Sequence, residues 1–259
     1  MPQPLVQPEG AGMKRTATVL RRHGTIAPSG RGIVLRAFDA AARGGRSLFP
    51  SRVFAPGEVR RVLKSGHQSR KIGAFVTKGP RKGWPIYTLT LEERATCPRS
   101  CREWLSCYGN NMQAAERIEA GEELFASLAG ELRALAAAHP SGFLVRLHVL
   151  GDFFSVAYVD LWRQLLEEMP ALHVFGFTAH PPASAIGRAV ALTTLDFGWV
   201  RWAIRFSGAP HEQRASRVIG AGETDADAVL CPAQTGGTDC CGTCGLCWQS
   251  ERSIAFRRH

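Results

Sequence analysis

The sequence predicts an α/β protein built on a parallel sheet, with a basic N-terminal extension and a Cys-rich, metal-binding C-terminal segment. Three observations carry this. Between residues 124 and 208, strand-like apolar runs alternate with runs of helical period, the pattern of βαβ units. Residues 1–80 hold 15 Lys and Arg against 3 Asp and Glu, net +12, whereas the rest of the chain holds 17 against 19, net −2. The eight cysteines fall into two knots, Cys97–Cys107 and Cys231–Cys247, with none between them.

The elements follow in order. Residues 1–30 are rich in Pro, Gly and Arg, which predicts a flexible tail, and Met13 is a second candidate start. Residues 31–70 predict little beyond a short helix near 57–65. "GAFV" and "PIYTLTL" read as short strands around the turn signals Gly79-Pro80 and Lys82-Gly83. Leu124, Leu128, Leu132 and Leu135 recur at helical spacing up to His139-Pro140. "FLVRLHVL" predicts a strand ending at Gly151-Asp152. The next helix carries Val159, Trp162, Leu166 and Met169 on one face, with Ser155 as N-cap. "LHVFGFTAH" predicts a strand, "ASAIGRAVALTTL" a weaker helix and "WVRWAIRFSG" a further strand. The chain thus divides into a basic, partly disordered extension (1–70), an α/β core with a three-Cys loop (71–225) and a Cys-rich metal or cluster segment (226–259).

Several classes are excluded. No apolar run approaches the roughly 20 residues of a membrane span, and the N-terminus lacks the apolar stretch of a secretory signal. No membrane partner is expected, and a cytoplasmic location is. There, clustered cysteines bind metal or do redox chemistry more often than they form disulfides. There is no P-loop, dinucleotide fingerprint, Ser-His-Asp order or HExxH motif. The basic extension reads either as a solvated arm or as a contact for nucleic acid, since Lys and Arg displace counterions from phosphates.

In the C-terminal knot, Cys241-x2-Cys244-x2-Cys247 is a dense ligand run, with Gly242 and Gly245 freeing the backbone. With Cys231 it supplies four thiolates, enough for tetrahedral zinc or an iron–sulfur cluster, and either Cys240 or Cys241 is the spare. The first knot, Cys97-x3-Cys101-x5-Cys107, offers three. Three thiolates leave a metal position open for substrate or cofactor, unless His148 or a C-terminal cysteine closes it into a structural zinc site. In parallel α/β proteins, functional groups collect at the carboxyl ends of the strands. Gly151-Asp152, Thr178 with His180, and Ser207-Gly208 fall there. His148, His180 and Asp152 each have an ordinary structural reading beside a functional one. Trp104, Trp162, Trp199, Trp202 and Trp248 read as core or as cluster cover.

A three-Cys loop opening an α/β array, followed by a strand ending in a Gly-acid pair, resembles the radical S-adenosylmethionine superfamily. That resemblance implies a partial (β/α) barrel and a [4Fe–4S] cluster on Cys97, Cys101 and Cys107, with Tyr108 beside it. The open iron would take the amino and carboxylate groups of S-adenosylmethionine. Gly151-Asp152 would stand in the place of a Gly-Gly-Glu motif, and Thr178 and Ser207 would end the third and fourth strands as further cofactor contacts. Cys231, Cys241, Cys244 and Cys247 would hold an auxiliary cluster, with zinc the alternative metal. The sequence departs from that superfamily in the five residues between Cys101 and Cys107, and in Leu150, where the motif has Gly. Over roughly residues 70–259 the chain is also similar to an uncharacterised phage family, gene product 88. The carrying residues are "KIGAFVTKGP", "TCPRSC…CYG", "RLHVLGDFFS…YVDLW", "FGFTAH" and "CPAQ…CGTCGLCW". The functional expectation is an iron–sulfur, radical S-adenosylmethionine-like enzyme of unknown substrate. The alternative is a zinc-stapled, phage-type nucleic-acid-binding protein.

Overall fold

The structure is a computed structural model that describes residues 33–69, 71–209, 214–220 and 222–258. The expected N-terminal tail lies outside the described residues. In chain order the strands are β1 (Val53–Phe54), β2 (Lys64–Ser65), β3 (Ile86–Thr88), β4 (Arg117–Ile118), β5 (Phe143–Leu147), β6 (Leu172–Thr178), β7 (Trp202–Phe206), β8 (Ser216–Ile219), β9 (Ala228–Leu230) and β10 (Ser253–Arg257). The helices are α1 (Ala40–Gly44), α2 (Glu122–Ala138), α3 (Val156–Glu168), α4 (Ala185–Arg201), α5 (Pro232–Thr235), α6 (Cys241–Cys244) and α7 (Leu246–Gln249).

The expected α/β architecture with a parallel sheet is present. Strands β3, β5, β6 and β7 lie side by side in chain order and run parallel, with β2 antiparallel on the β3 edge. Among the described residues no pairing joins β2 to β7, so this sheet is open. A parallel sheet must be covered on both faces, and the alternation along each strand shows how. Phe143, Val145 and Leu147 of β5 and Leu172 and Val174 of β6 join a core with Leu124, Leu128 and Leu132 of α2 and with Tyr158, Val159, Trp162 and Leu166 of α3. The intervening residues Leu144, Phe175 and Ala203, with Ile86 of β3, face the other way and pack on Trp248, Cys241 and Cys247. Helices therefore cover one face, and the C-terminal cysteine knot covers the other.

The periodic elements form where expected. Ser155 caps α3 through its hydroxyl, which accepts from Tyr158 N at 3.1 Å. The α4 helix runs further than the weak periodicity predicted, with Gly198 at non-helical dihedrals near its end, and β7 starts at Trp202 instead of Trp199. The helix expected near 57–65 is a single 3-10 turn at Pro56–Glu58. After it, the amides of Val62 and Leu63 donate to the Glu131 carboxylate on α2 (2.7 and 2.9 Å), which holds that stretch extended. "GAFV" makes only an isolated bridge, Phe75 to Pro85. A second, three-stranded parallel sheet in the order β8-β10-β9 was not anticipated. Among the described residues, no helix is long and apolar enough to cross a membrane.

Candidate metal and cofactor site

The first knot is the long connection from β3 to α2, and buried charge shapes it. Glu93 pairs with Arg117 (Nε to Oε2, 2.6 Å) and accepts from Ser47 Oγ at 2.9 Å. Arg117 uses its remaining donors on three loop carbonyls, Gly109 (3.1 Å), Met112 (3.1 Å) and Ala115 (2.7 Å). Arg94 donates to Trp104 O and to Asn110 Oδ1, and Asn110 in turn donates to Ile33 O and Leu105 O. The five residues between Cys101 and Cys107 fold back through a turn, Trp104 N to Cys101 O at 3.1 Å, into a 3-10 turn at Tyr108–Asn111. Burial raises all three thiols, and Cys101 adds to the rise at both Cys97 and Cys107. Burial pushes the Cys107 thiol up to about 11.

The carboxyl ends of β5 and β6 meet this loop. Gly151 turns the chain with φ +83°, and a Cβ there would lie 2.6 Å from Thr96 Oγ1 and 2.7 Å from Leu91 Cβ, so only glycine fits. The turn delivers Asp152, which is 3% exposed. Its oxygens accept from Phe153 N (2.7 Å) and Ala179 N (2.6 Å), and Thr178 adds a side-chain hydrogen bond. Burial raises the Asp152 carboxyl to about 6, against the opposing pull of these donors and of His180. Asp152 also acts on the Cys97 and Cys101 thiols electrostatically. Tyr108 keeps 38% of its surface exposed, and desolvation raises its hydroxyl.

The structure therefore brings Cys97, Cys101, Cys107, Tyr108, Gly151, Asp152 and Thr178 to one rim of the sheet. Ser207 also ends its strand, but its hydroxyl is spent on Ser216 Oγ of β8 at 2.9 Å. His180 Nε2 donates to Phe153 O at 2.7 Å. His148 packs edge-on against Phe153 (4.6 Å), its Nε2 meets Tyr158 OH at 3.2 Å, and its buried Nδ1 has no hydrogen-bond partner among the described residues. Its φ of +53° is what stops β5 at Leu147.

The second knot is a separate assembly. Cys231, Cys241, Cys244 and Cys247 line one cavity with Leu246, Trp248 and Ile254, and no cysteine of the first knot lines it. Burial pushes Cys241 up to about 12 and Cys247 to about 11, with neighbouring thiols of this set contributing. Cys240 faces elsewhere, toward Gly73, and its sulfur lies 3.5 Å from Thr243 Oγ1. The knot is clamped to residues 71–77: Cys241 N donates to Lys71 O (2.7 Å), Gly242 N to Ile72 O (2.9 Å) and Thr77 N to Gly242 O (3.1 Å). A Cβ on Gly242 would meet Phe75 O at 2.2 Å, so the glycine permits the docking. Arg205, fully buried on β7, donates to the carbonyls of Leu246, Cys247, Ser250 and Arg252.

All eight cysteines are free thiols. Among the described residues, no three Cys, His, Asp or Glu side chains are drawn into the tight cluster of a bound metal ion. Soft sulfur is the donor chemistry of zinc and iron–sulfur sites, and burial favours the neutral thiol at Cys97, Cys101, Cys107, Cys241 and Cys247, a preference that a metal cation would reverse. Sequence reasoning missed two features that bear on the site. The Glu93–Arg117 pair had no motif to mark it, whereas Arg146, a charge inside the apolar run "FLVRLHVL", was visible and passed over. No protein-family model matches the chain, and comparisons with curated proteins and with solved structures likewise find no match.

Proposed function

We propose that this chain is an iron–sulfur enzyme of the radical S-adenosylmethionine kind. Its sheet would be the wall of a partial barrel, a substrate cluster would sit on Cys97, Cys101 and Cys107, and an auxiliary cluster on Cys231, Cys241, Cys244 and Cys247. The observation that carries this is the separation of the two sets. The three-Cys loop gathers at the carboxyl rim beside Asp152, while the four-Cys set lines its own cavity against the middle of the sheet. A three-sulfur site at a rim has a position free for a cofactor, whereas four sulfurs close a site. The phage gene product 88-like resemblance adds no activity to this.

A cluster with S-adenosylmethionine supplies one-electron cleavage of the sulfonium and hydrogen abstraction from a substrate carbon. The chain's own residues do the rest. Asp152, held ionisable near neutrality, would accept the cofactor's amino group, with Gly151 giving close backbone approach and Thr178 fixing the carboxylate. Tyr108 would border the loop. Trp248, packed on Phe175 at 4.6 Å between ring centres, keeps water from the second set.

The alternative is a zinc-stapled nucleic-acid-binding protein, favoured by the net +12 of residues 1–80. Anaerobic purification with metal and sulfide analysis separates the two. Iron with matching acid-labile sulfide is expected, and zinc alone together with salt-dependent DNA or RNA binding would support the alternative.

A further inference from the structure

Several arginines that enter the protein interior are tied down. Arg117 pairs with Glu93 and three carbonyls, Arg205 holds four carbonyls of the knot, and Arg201 holds those of Leu166, Met169 and Leu172. Arg146 is different. It lies on β5 two residues beyond Leu144, so the two-residue period puts it on the knot-covered face, one step nearer the carboxyl rim. Its guanidinium stands over the Phe177 ring at 4.6 Å, with Phe175 at 5.9 Å. Among the described residues only Nη1 has acceptors, Leu147 O and His148 O. Among the described residues no carboxylate lies within ion-pair distance of it. Electrostatically it acts on Tyr108 of the first knot and on Cys241 and Cys247 of the second.

We propose that Arg146 anchors an oxyanion of the substrate, a carboxylate or a phosphate, on the knot-covered face of the sheet. A half-buried cation without a counterion is unfavourable, and an arriving anion removes that penalty. Stacking on Phe177 fixes the guanidinium plane, while Nε and Nη2 present the two parallel donors that a planar oxyanion accepts. This deepens the proposed function, because it names the substrate class for that site.

The test uses the full chain, purified anaerobically, titrated in parallel arms with inorganic phosphate and with glutarate and followed by NMR of the arginine Nε–H signals. Saturable binding of one probe is expected, and the arm that saturates identifies the anion. In Arg146→Gln the affinity should fall about tenfold or more, the loss of a charge-assisted pair. Arg146→Lys keeps the charge without the fork, so it should weaken glutarate more than phosphate. Wild-type affinity for both probes in Arg146→Gln overturns the proposal. If that variant does not fold, wild-type affinity for glutarate as well as phosphate in Arg146→Lys does so. Metal content of the same samples addresses the proposed function separately. Bound iron with Arg146-independent anion binding sinks the anion site alone, whereas absent metal with Arg146-dependent binding sinks the cluster assignment and leaves the anion site standing.

Discussion

Arg117 and Glu93 form an ion pair at 2.6 Å with both side chains at most 1% exposed, and the three-Cys loop hangs from it. Arg117 binds the loop carbonyls and Glu93 sits at the loop's entry, so the pair fixes both ends of the connection that presents Cys97, Cys101 and Cys107.

Removing one partner leaves the other charge buried and alone. Glu93→Gln should cost about 3–5 kcal/mol in unfolding stability, measured by denaturant titration. The same variant should take up less metal at the loop while the C-terminal set is spared. Loss smaller than about 1 kcal/mol would mean the pair does not organise the loop.

Asp152 ties the end of β5 to the end of β6 through Ala179 N. In Asp152→Asn, the amide must place its NH2 against a backbone N–H. Stability should therefore drop by about 1–3 kcal/mol. S-adenosylmethionine binding, followed by equilibrium dialysis, should weaken about tenfold or more. Unchanged cofactor affinity in a folded Asp152→Asn protein would confine Asp152 to bridging the strand ends.

The two adjacent cysteines of the knot should behave differently. Cys241 lines the four-sulfur cavity and Cys240 points to Gly73. Cys240→Ser is expected to leave metal content unchanged, and Cys241→Ser to lower it to what the first knot holds. Equal losses in the two variants would contradict the assignment.

His173 stacks against Trp84 at 4.7 Å, and burial, with Arg81 and Arg201 nearby, lowers its pKa to about 4. An unfolded histidine titrates near about 6.5. Between those values the unfolded chain holds a proton that the folded chain refuses. The His173 contribution to stability is therefore complete above pH 6.5 and lost as pH falls toward 4. Replacing His173 with Gln should flatten the stability curve in that window, read from denaturant midpoints at each pH. An unaltered slope would show that His173 takes up its proton alike in both states.

The elements that could be read from sequence are those whose signal is local. The α2 and α3 helices carry long apolar stripes, and Ser155 marks a start that the hydroxyl-to-amide bond realises. The β5 and β6 strands read as apolar runs because the sheet is covered on both sides. What could not be read depends on distant partners. Strand β10 pairs Ile254 with Ser216, and no residue near either announces it. "GAFV" looks like a strand, but its backbone bonds to residues 83–86 (Val76 N to Trp84 O, Ile86 N to Ala74 O), while the flanking Lys71, Ile72 and Thr77 serve Cys241 and Gly242. The division of labour between Cys240 and Cys241 is likewise set by which side of a four-residue helix each one leaves. Asp152 and Thr178 were legible because strand ends in a parallel sheet converge. Arg146 was overlooked because a strand charge shows its direction only once the covered face is known.

The separation of two cysteine centres is tested most directly by iron and acid-labile sulfide analysis of anaerobically prepared protein, wild type beside a Cys97→Ala, Cys101→Ala, Cys107→Ala variant. Two clusters require iron and sulfide in equal amounts in the wild type, with about half retained in the variant. A colourless wild-type protein holding only zinc, or a variant that loses all of its metal, would contradict it.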